Sequence, residues 1–273
     1  MTTTLRPAGP ETRGADAERF RPYTVCVNGR PVGGVELRAG GRLGEGVGEI
    51  GALFVAEPDR RRGRGAVAAL AAEEVLRSWG CAVALASVPP DAEYALRLAH
   101  SLGYAERSRH MAKDVTGPPA ALPHGSTART LTGAQARPWL ERGHRTYVDA
   151  VVAGGMPPEE AERRGRDGVA ALLRDGEPAP GTAMLGIDHD GEGVGFVWLR
   201  TDAPPWVFNV EVAPEHRGRG HGRTAMLAAE NHCREVGCAV LGLNVFSANT
   251  TALRLYASLG YRTTARHFEK RLL

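Results

Sequence analysis

The chain repeats itself. Displaced by 157 positions, the distance from Arg60 to Arg217, residues 55–115 lie over residues 212–272 without a gap. Gly80-Cys-Ala-Val83 then matches Gly237-Cys-Ala-Val240, Ala95-Leu-Arg-Leu98 matches Ala252-Leu-Arg-Leu255, and Ser101-Leu-Gly-Tyr104 matches Ser258-Leu-Gly-Tyr261. Close to half of the superposed positions are identical, where a biased composition gives about one in ten by chance. A period this long holds several secondary-structure elements, so it predicts two whole domains rather than a solenoid. With 273 residues, 42% of them hydrophobic, the chain is large enough for two ordinary cores.

Within each copy a β-prone run enters a glycine-rich turn, a helix with apolar residues at helical spacing follows, and a second apolar run begins after Gly80 or Gly237. Strand, helix, strand with a crossover of that length predicts a parallel pair wound right-handed. In the second copy the turn carries Gly218, Gly220 and Gly222 ahead of a helix starting near His221. Bare amides at a helix N-terminus form an anion cradle, and a pyrophosphate can sit there without a dedicated lysine. The spacing is not Gly-x-Gly-x-x-Gly with a following acidic residue, and no Gly-Lys-Ser/Thr occurs, so dinucleotide and Walker loops are excluded.

Around this pair of motifs the chain divides by composition. Residues 1–19 are polar and are expected to be a mobile leader, 20–115 form the first domain, 116–125 are a Pro- and Gly-rich linker, and 126–273 form the second. Asn28-Gly29 between two β-prone runs predicts a hairpin, followed by a strand at about 49–56. Residues 133–175 read as two helices broken by Gly154-Gly-Met-Pro-Pro158, and strands at about 182–188 and 194–200 flank the turn from Asp188 to Glu192. The first copy has no counterpart of those two helices and reads as truncated. A net charge of +3, with arginines interleaved among acids, argues against a nucleic-acid partner. Cys26, Cys81, Cys233 and Cys238 show no Cys-x-x-Cys spacing and read as reduced structural thiols. With no apolar run near the roughly 20 residues that span a bilayer, a cytoplasmic protein with no membrane partner is expected.

Arg217-x-x-Gly220-x-Gly222, followed by Asn249-Thr-Thr-Ala252-Leu-Arg-Leu255-Tyr256-Ala-Ser-Leu-Gly260-Tyr261, resembles the two linked motifs of the GCN5-related N-acetyltransferases. The resemblance covers roughly residues 126–273, and the Arg60, Gly63, Gly65 turn extends it to the first copy. It implies an α/β fold of two tandem domains, each a mixed, mostly antiparallel sheet with a splayed parallel pair, flanked by helices. It implies acetyl-CoA as acyl donor, no metal, and an acetyl group moved to a primary amine by direct attack in a ternary complex. Val210, Val212, Arg217, Gly218, Arg219, Gly220, His221, Gly222, Arg223, Asn249 and Tyr256 would hold the cofactor, and Val212 would donate to the thioester oxygen. Tyr256 sits where the family places the tyrosine that protonates or hydrogen-bonds the leaving sulfur. Glu211 is the candidate base, sharing a strand face with Asn209 two positions away, and the helices after the linker would form one wall of the acceptor pocket.

Each of these residues also has a plainer reading. Tyr256 suits packing between helix and sheet, Asn249 suits a helix cap, and Glu211 suits a salt bridge. His216 and His221 read as solvent-exposed rather than as metal ligands, and the repeat-equivalent His110 and His267 read as shared packing. In the first copy Ala99, Ala92 and Phe54 replace Tyr256, Asn249 and Glu211, and Pro89-Pro90 interrupts the second motif. Its loop at Arg60, Gly63 and Gly65 is a possible second cofactor site without chemistry. A non-catalytic acyl-CoA sensor and an enzyme for a longer acyl-CoA both stay open. So does the acceptor, whether a small-molecule, peptide or protein amine, and so does packing of the two domains as an intramolecular pseudo-dimer.

Overall fold

The structure is a computed structural model that describes residues 2–153, 156–170, 173–202 and 204–272. In chain order its elements are β1 (Thr3–Pro7), β2 (Thr12–Arg13), β3 (Arg19–Val27), β4 (Arg30–Ala39), β5 (Val47–Val55), α1 (Arg64–Ser78), β6 (Val83–Val88), α2 (Glu93–Ser101) and β7 (Ala105–Asp114). Then follow β8 (Ser126–Thr130), α3 (Gly133–Ala153), α4 (Pro158–Ala170), β9 (Leu173–Arg174), β10 (Glu177–Pro178), β11 (Thr182–His189) and β12 (Glu192–Arg200). The chain ends with β13 (Trp206–Val212), α5 (His221–Glu235), β14 (Val240–Phe246), α6 (Thr250–Ser258) and β15 (Arg262–Arg271). Two compact units emerge, one of Met1–Arg109 with Thr264–Leu273 and one of His110–Thr263.

In the first unit the strands run in the order β1-β3-β4-β5-β6-β15, with β2 against β3. The β3–β4 hairpin turns on Asn28 (φ 49°) and Gly29 (φ 83°), both left-handed, as an Asn-Gly hairpin turn demands. Helix α1 buries Ala68, Ala69, Ala72, Glu73 and Leu76, a stripe of mostly small side chains at helical spacing that brings its axis close to the sheet. The expected mobile leader is corrected: Thr3-Thr4-Leu5-Arg6-Pro7 pairs antiparallel with Val27 to Tyr23. Alternation of β-prone Thr with Leu5, which packs on the core, outweighs the polar composition.

In the second unit the order is β7-β14-β13-β12-β11-β8. One face packs against α5 through Val197, Leu199, Val207, Met226, Leu241 and Leu243. The other carries Phe196, Trp198 and Met184 against Ala136, Trp139 and Leu140 of α3. The expected pair of helices is present, with Pro158 opening α4 and Glu159 and Glu160 in its first turn. Of the expected break, Gly154 and Gly155 lie outside the described residues. Gly165 in α4 has a packing reason: a Cβ there would stand 2.6 Å from the ring of His144 on α3.

The expected boundary at 116–125 is not where the units divide. β15 pairs with β6, from Arg266 opposite Val88 to Arg271 opposite Val83, and places Phe268 and Leu272 in the core of the first unit. Met111 and Val115, their repeat equivalents, lie in the core of the second. The chain has two lysines, Lys113 and Lys270. Lys270 Nζ donates to Glu73 at 2.8 and 2.9 Å in the first unit, and Lys113 Nζ donates to Glu230 at 2.7 Å in the second. Each unit is thus finished by the last strand of the other sequence copy. The two strands share Arg, His and Lys at equivalent positions, so sequence alone does not say which sheet receives which. His110 and His267 diverge as well: His110 stands edge-on to Trp206, 4.9 Å between centroids, while Nδ1 of His267 meets Ser87 Oγ at 2.8 Å. Among the described residues no helix is long and apolar enough to cross a membrane.

Candidate active site

In the second unit β13 and β14 are parallel neighbours only at Trp206–Gly242 and Val207–Leu243. Beyond Val207 the strands part. Ala213 N donates to Val194 O on β12 at 3.1 Å, and backbone groups alternate sides along a strand. The amides of Val212 and Val210 therefore face away from β12, into the gap. A neutral donor held at such an opening needs no reorganisation to meet an oxygen gaining charge.

At the end of β13 the chain passes through a short 3-10 turn, Pro214–His216, into α5. Gly218 (φ 78°) and Gly220 (φ 90°) are left-handed, and a Cβ built on either would meet nothing within 4 Å. The first helical bonds are those of Arg223 and Thr224 to Gly220 O, so the amides of His221 and Gly222 remain at the positive end of a 15-residue helix. Arg217 Nε donates to Val212 O at 3.1 Å and Nη2 to Glu211 Oε1 at 2.9 Å, which ties the turn back to the strand. Arg219 is exposed. Arg223 Nη2 reaches Ser258 Oγ at 2.5 Å, and the missing Cβ of Gly222 admits Leu255 of α6.

Helix α6 starts at Asn249, whose Oδ1 accepts from Ala252 N at 3.0 Å. Truncation to Ala should lower stability by about 1 kcal/mol, read as a shift in denaturant midpoint at unchanged slope. Tyr256, about two turns on, is 8% exposed and sits in the same cluster as Leu243 and Val245. Burial pushes its phenol up to about 12, so it is protonated at every physiological pH. Tyr261 lies 5.9 Å from it, ring to ring.

Asn209 and Glu211 are cross-strand partners of Trp198 and Phe196, residues of the cluster against α3, so both face the α3 layer. Gly143 of α3 lies so close that a Cβ there would overlap the Asn209 amide. Glu211 is 5% exposed and is the Arg217 partner, so its salt-bridge reading holds whatever else it does. The next residue on α3, His144, binds Glu162 of α4 at 2.7 Å and joins the two helices. The pairs His144–Glu162 and Lys113–Glu230 have no signature in the sequence, because pairs between distant elements leave no local pattern.

Two expectations fail here. His216 and His221 are buried, at 9% and 5% exposure. The imidazole of His216 meets Glu192 Oε1 at 3.2 Å, and His221 packs against His216 and His189. They are covered because the β11–β12 hairpin, a distant stretch of chain, supplies His189 and Glu192. Among the described residues no group of His, Cys, Asp and Glu is arranged to hold a metal.

The first unit reproduces the frame without the side chains. β5 and β6 pair from Val47–Val83 to Ile50–Ala86 and then part, Ala56 N donates to Val32 O at 2.7 Å, and Arg60 Nε donates to Val55 O at 2.8 Å. Gly63 (φ 71°) caps α1. Yet Ala99 stands at the tyrosine position, Ala92 leaves α2 without a side-chain cap, and Phe54 is exposed where the second unit has Glu211.

A family model described as the acetyltransferase (GNAT) family matches residues 4–104 and 146–261. A mycothiol acetyltransferase of Thermomonospora curvata is 30% identical over 226 residues, 80% of this chain and 71% of that protein. One of Kytococcus sedentarius is 33% identical over 180 residues, 62% of this chain and 58% of that protein. The streptothricin acetyltransferase of Streptomyces lavendulae is 32% identical over 109 residues, 38% of this chain and 54% of that protein. The matches thus span about half to seven-tenths of the length of these relatives. Among solved structures, a GCN5-related N-acetyltransferase from Sphaerobacter thermophilus superposes with TM-score 0.62 at 21% identity, over 92% of this chain and 80% of that one. A tandem GNAT protein from the clavulanic acid biosynthesis pathway gives TM-score 0.50 at 20% identity, over 96% of this chain and 85% of that one.

Proposed function

The chain belongs to the acetyltransferase (GNAT) family, and we propose that its second unit carries the chemistry, moving an acetyl group from acetyl-CoA to a primary amine by direct attack. The observation that carries this reading is the contrast between the units. Both keep the parted strands and the glycine turn, whereas the buried tyrosine and the strand carboxylate occur in the second unit alone. Supporting an acyl-CoA at this turn, a Cβ on Gly218 or Gly220 would meet nothing within 4 Å, and the amides of His221 and Gly222 stand at a helix N-terminus.

Acetyl-CoA supplies an acetyl thioester. The amides of His221 and Gly222, with Arg219 beside them, would hold its diphosphate, and Val210 and Val212 would line the gap. The Val212 N–H is placed to donate to the thioester oxygen as it gains charge, a contribution of about 3 kcal/mol. Glu211 accepts the amine proton, directly or through water, with the carboxylate oriented by Arg217. Tyr256 donates a hydrogen bond to the departing sulfur. With its phenol near 12 and a thiol near about 8.5, complete transfer of its proton would be uphill by about 5 kcal/mol. Stabilising the thiolate by a hydrogen bond is therefore its main action, and solvent supplies the proton.

The first unit, in this proposal, keeps a phosphate-binding turn at Arg60, Gly63 and Gly65 and performs no transfer. The names of the relatives set the order of acceptors to test: the acetyl-free form of mycothiol first, then streptothricin, then polyamine and peptide amines. The assay is formation of the acetylated acceptor, read by mass, with acetyl-CoA and each acceptor. Turnover with an amine supports transfer, and binding of acetyl-CoA without turnover on any amine would favour the sensor reading.

A further inference from the structure

Behind the glycine turn of the second unit lies a cluster of three imidazoles that the proposed chemistry does not use. His221, the first residue of α5, stands 5.0 Å from His189 and 6.0 Å from His216, ring to ring. His216, in the 3-10 turn, faces Glu192 of β12 at 3.2 Å. His189, at the end of β11, meets Ser126 Oγ of β8 at 3.0 Å and Asp190 of the hairpin turn at 3.6 Å. Arg219 on the loop acts on His221 as well. These are the groups that face the cluster from each element packed on it.

The equivalents of His216, His221 and Glu192 in the first unit are built differently. Asp59 occupies the place of His216 and Arg64 that of His221, while Arg30, first after the Asn28-Gly29 turn, stands where Glu192 follows Asp190-Gly191. There Asp59 pairs with Arg64, and with Arg30 at 2.6 Å. The anchor of the loop thus consists of a carboxylate between two guanidinium groups in the unit without the tyrosine and of imidazole rings in the unit that has it.

We propose that His221, packed with His216 and His189, takes up a proton when the loop binds the diphosphate of acetyl-CoA, so that affinity rises as the pH falls. The inference rests on the proposed cofactor role of that loop. Three rings crowded at the positive end of a helix, beside an arginine, disfavour a further positive charge. Burial first, then His189, His216 and Arg219, hold the His221 imidazole below its usual range. A diphosphate seated on the amides of His221 and Gly222 brings negative charge within a few residues of that ring and lifts the penalty. By linkage, a ligand that raises a group's proton affinity binds more tightly as that group protonates. His221 acts here as a positioning residue, through the loop it anchors.

The test is the dissociation constant of acetyl-CoA at pH 8 and pH 6 for the wild type and for His221→Gln. The phosphomonoester of the cofactor also titrates near about 6, but equally in both proteins, so the comparison is of their pH dependences and not of absolute affinity. The wild type should gain about three-fold over the variant between the two pH values, since a one-unit rise in pKa is worth at most a factor of about ten and only part of it is realised at pH 6. Equal changes in the two proteins would overturn the proposal. Should the variant fail to fold, the titration midpoint of the His221 Cε1 proton resonance decides in wild-type protein: it should move up on adding CoA, and an unmoved or lowered midpoint refutes the coupling. Absence of acetyl-CoA binding at every pH would instead refute the cofactor reading itself.

Discussion

Replacing Tyr256 by Phe should lower kcat for acetyl transfer about 100-fold, with the dissociation constant of acetyl-CoA changed less than two-fold. The substitution keeps the ring, which belongs to the same cluster as Leu243 and Val245, and removes only the hydroxyl, so packing and cofactor binding should survive while the proposed hydrogen bond to the departing sulfur would be lost. The pH profile separates this role from others. Since burial pushes the phenol up to about 12, its proton is present below that pH and is lost only as pH rises through it, so wild-type activity should not fall toward pH 9.5 on account of Tyr256. The same shift affects stability: a phenol raised in the folded state above the unfolded value of about 10 stabilises the fold fully below about pH 10, and that contribution fades as pH climbs to 12. Activity is therefore compared below pH 9.5, where both proteins are folded. A variant with unchanged kcat would remove Tyr256 from the chemistry and leave it a packing residue.

The second large effect concerns the strand that finishes the second unit. Lys113→Met should destabilise the protein by about 3 kcal/mol, because it leaves Glu230, 0% exposed, as a buried carboxylate without its lysine. Arg234, 3.4 Å from Glu230, shares the charge and holds the loss to the lower end of the range for broken buried pairs. The double variant Lys113→Met with Glu230→Met should recover most of it, since two apolar side chains of similar volume replace an ion pair with little loss. Lys270→Met should act alike through Glu73. Chemical denaturation followed by fluorescence reads both. A Lys113→Met protein within about 0.5 kcal/mol of the wild type would mean that the pair does not hold β7 in place.

Much of this architecture can be read from the residues. The Asn28-Gly29 hairpin, the helices entered through Gly63 and Gly220, and the start of α4 at Pro158 follow from local chemistry, since each needs only a few neighbouring residues. The glycine turn is legible because it recurs along the chain, and Tyr256 because the motif around it, Asn249 to Tyr261, resembles the second motif of the family. What could not be read depends on partners far apart in sequence. The leader strand needs Val27 to Tyr23 as its template. The burial of His216 and His221 needs the hairpin that carries His189 and Glu192. The exchange of last strands is invisible because Lys113 and Lys270, with Met111 and Phe268, suit either sheet.

Calorimetric titration with acetyl-CoA, run on the wild type and on two glycine variants, tests most directly the assignment of cofactor and chemistry to the second unit. Gly63 and Gly220 have the same left-handed backbone and cap equivalent helices, so Gly63→Glu and Gly220→Glu carry similar strain and place the same charge at either turn. Gly220→Glu should abolish an acetyl-CoA site and all transfer, while Gly63→Glu leaves both. A site and a turnover that survive Gly220→Glu and vanish with Gly63→Glu would contradict the assignment.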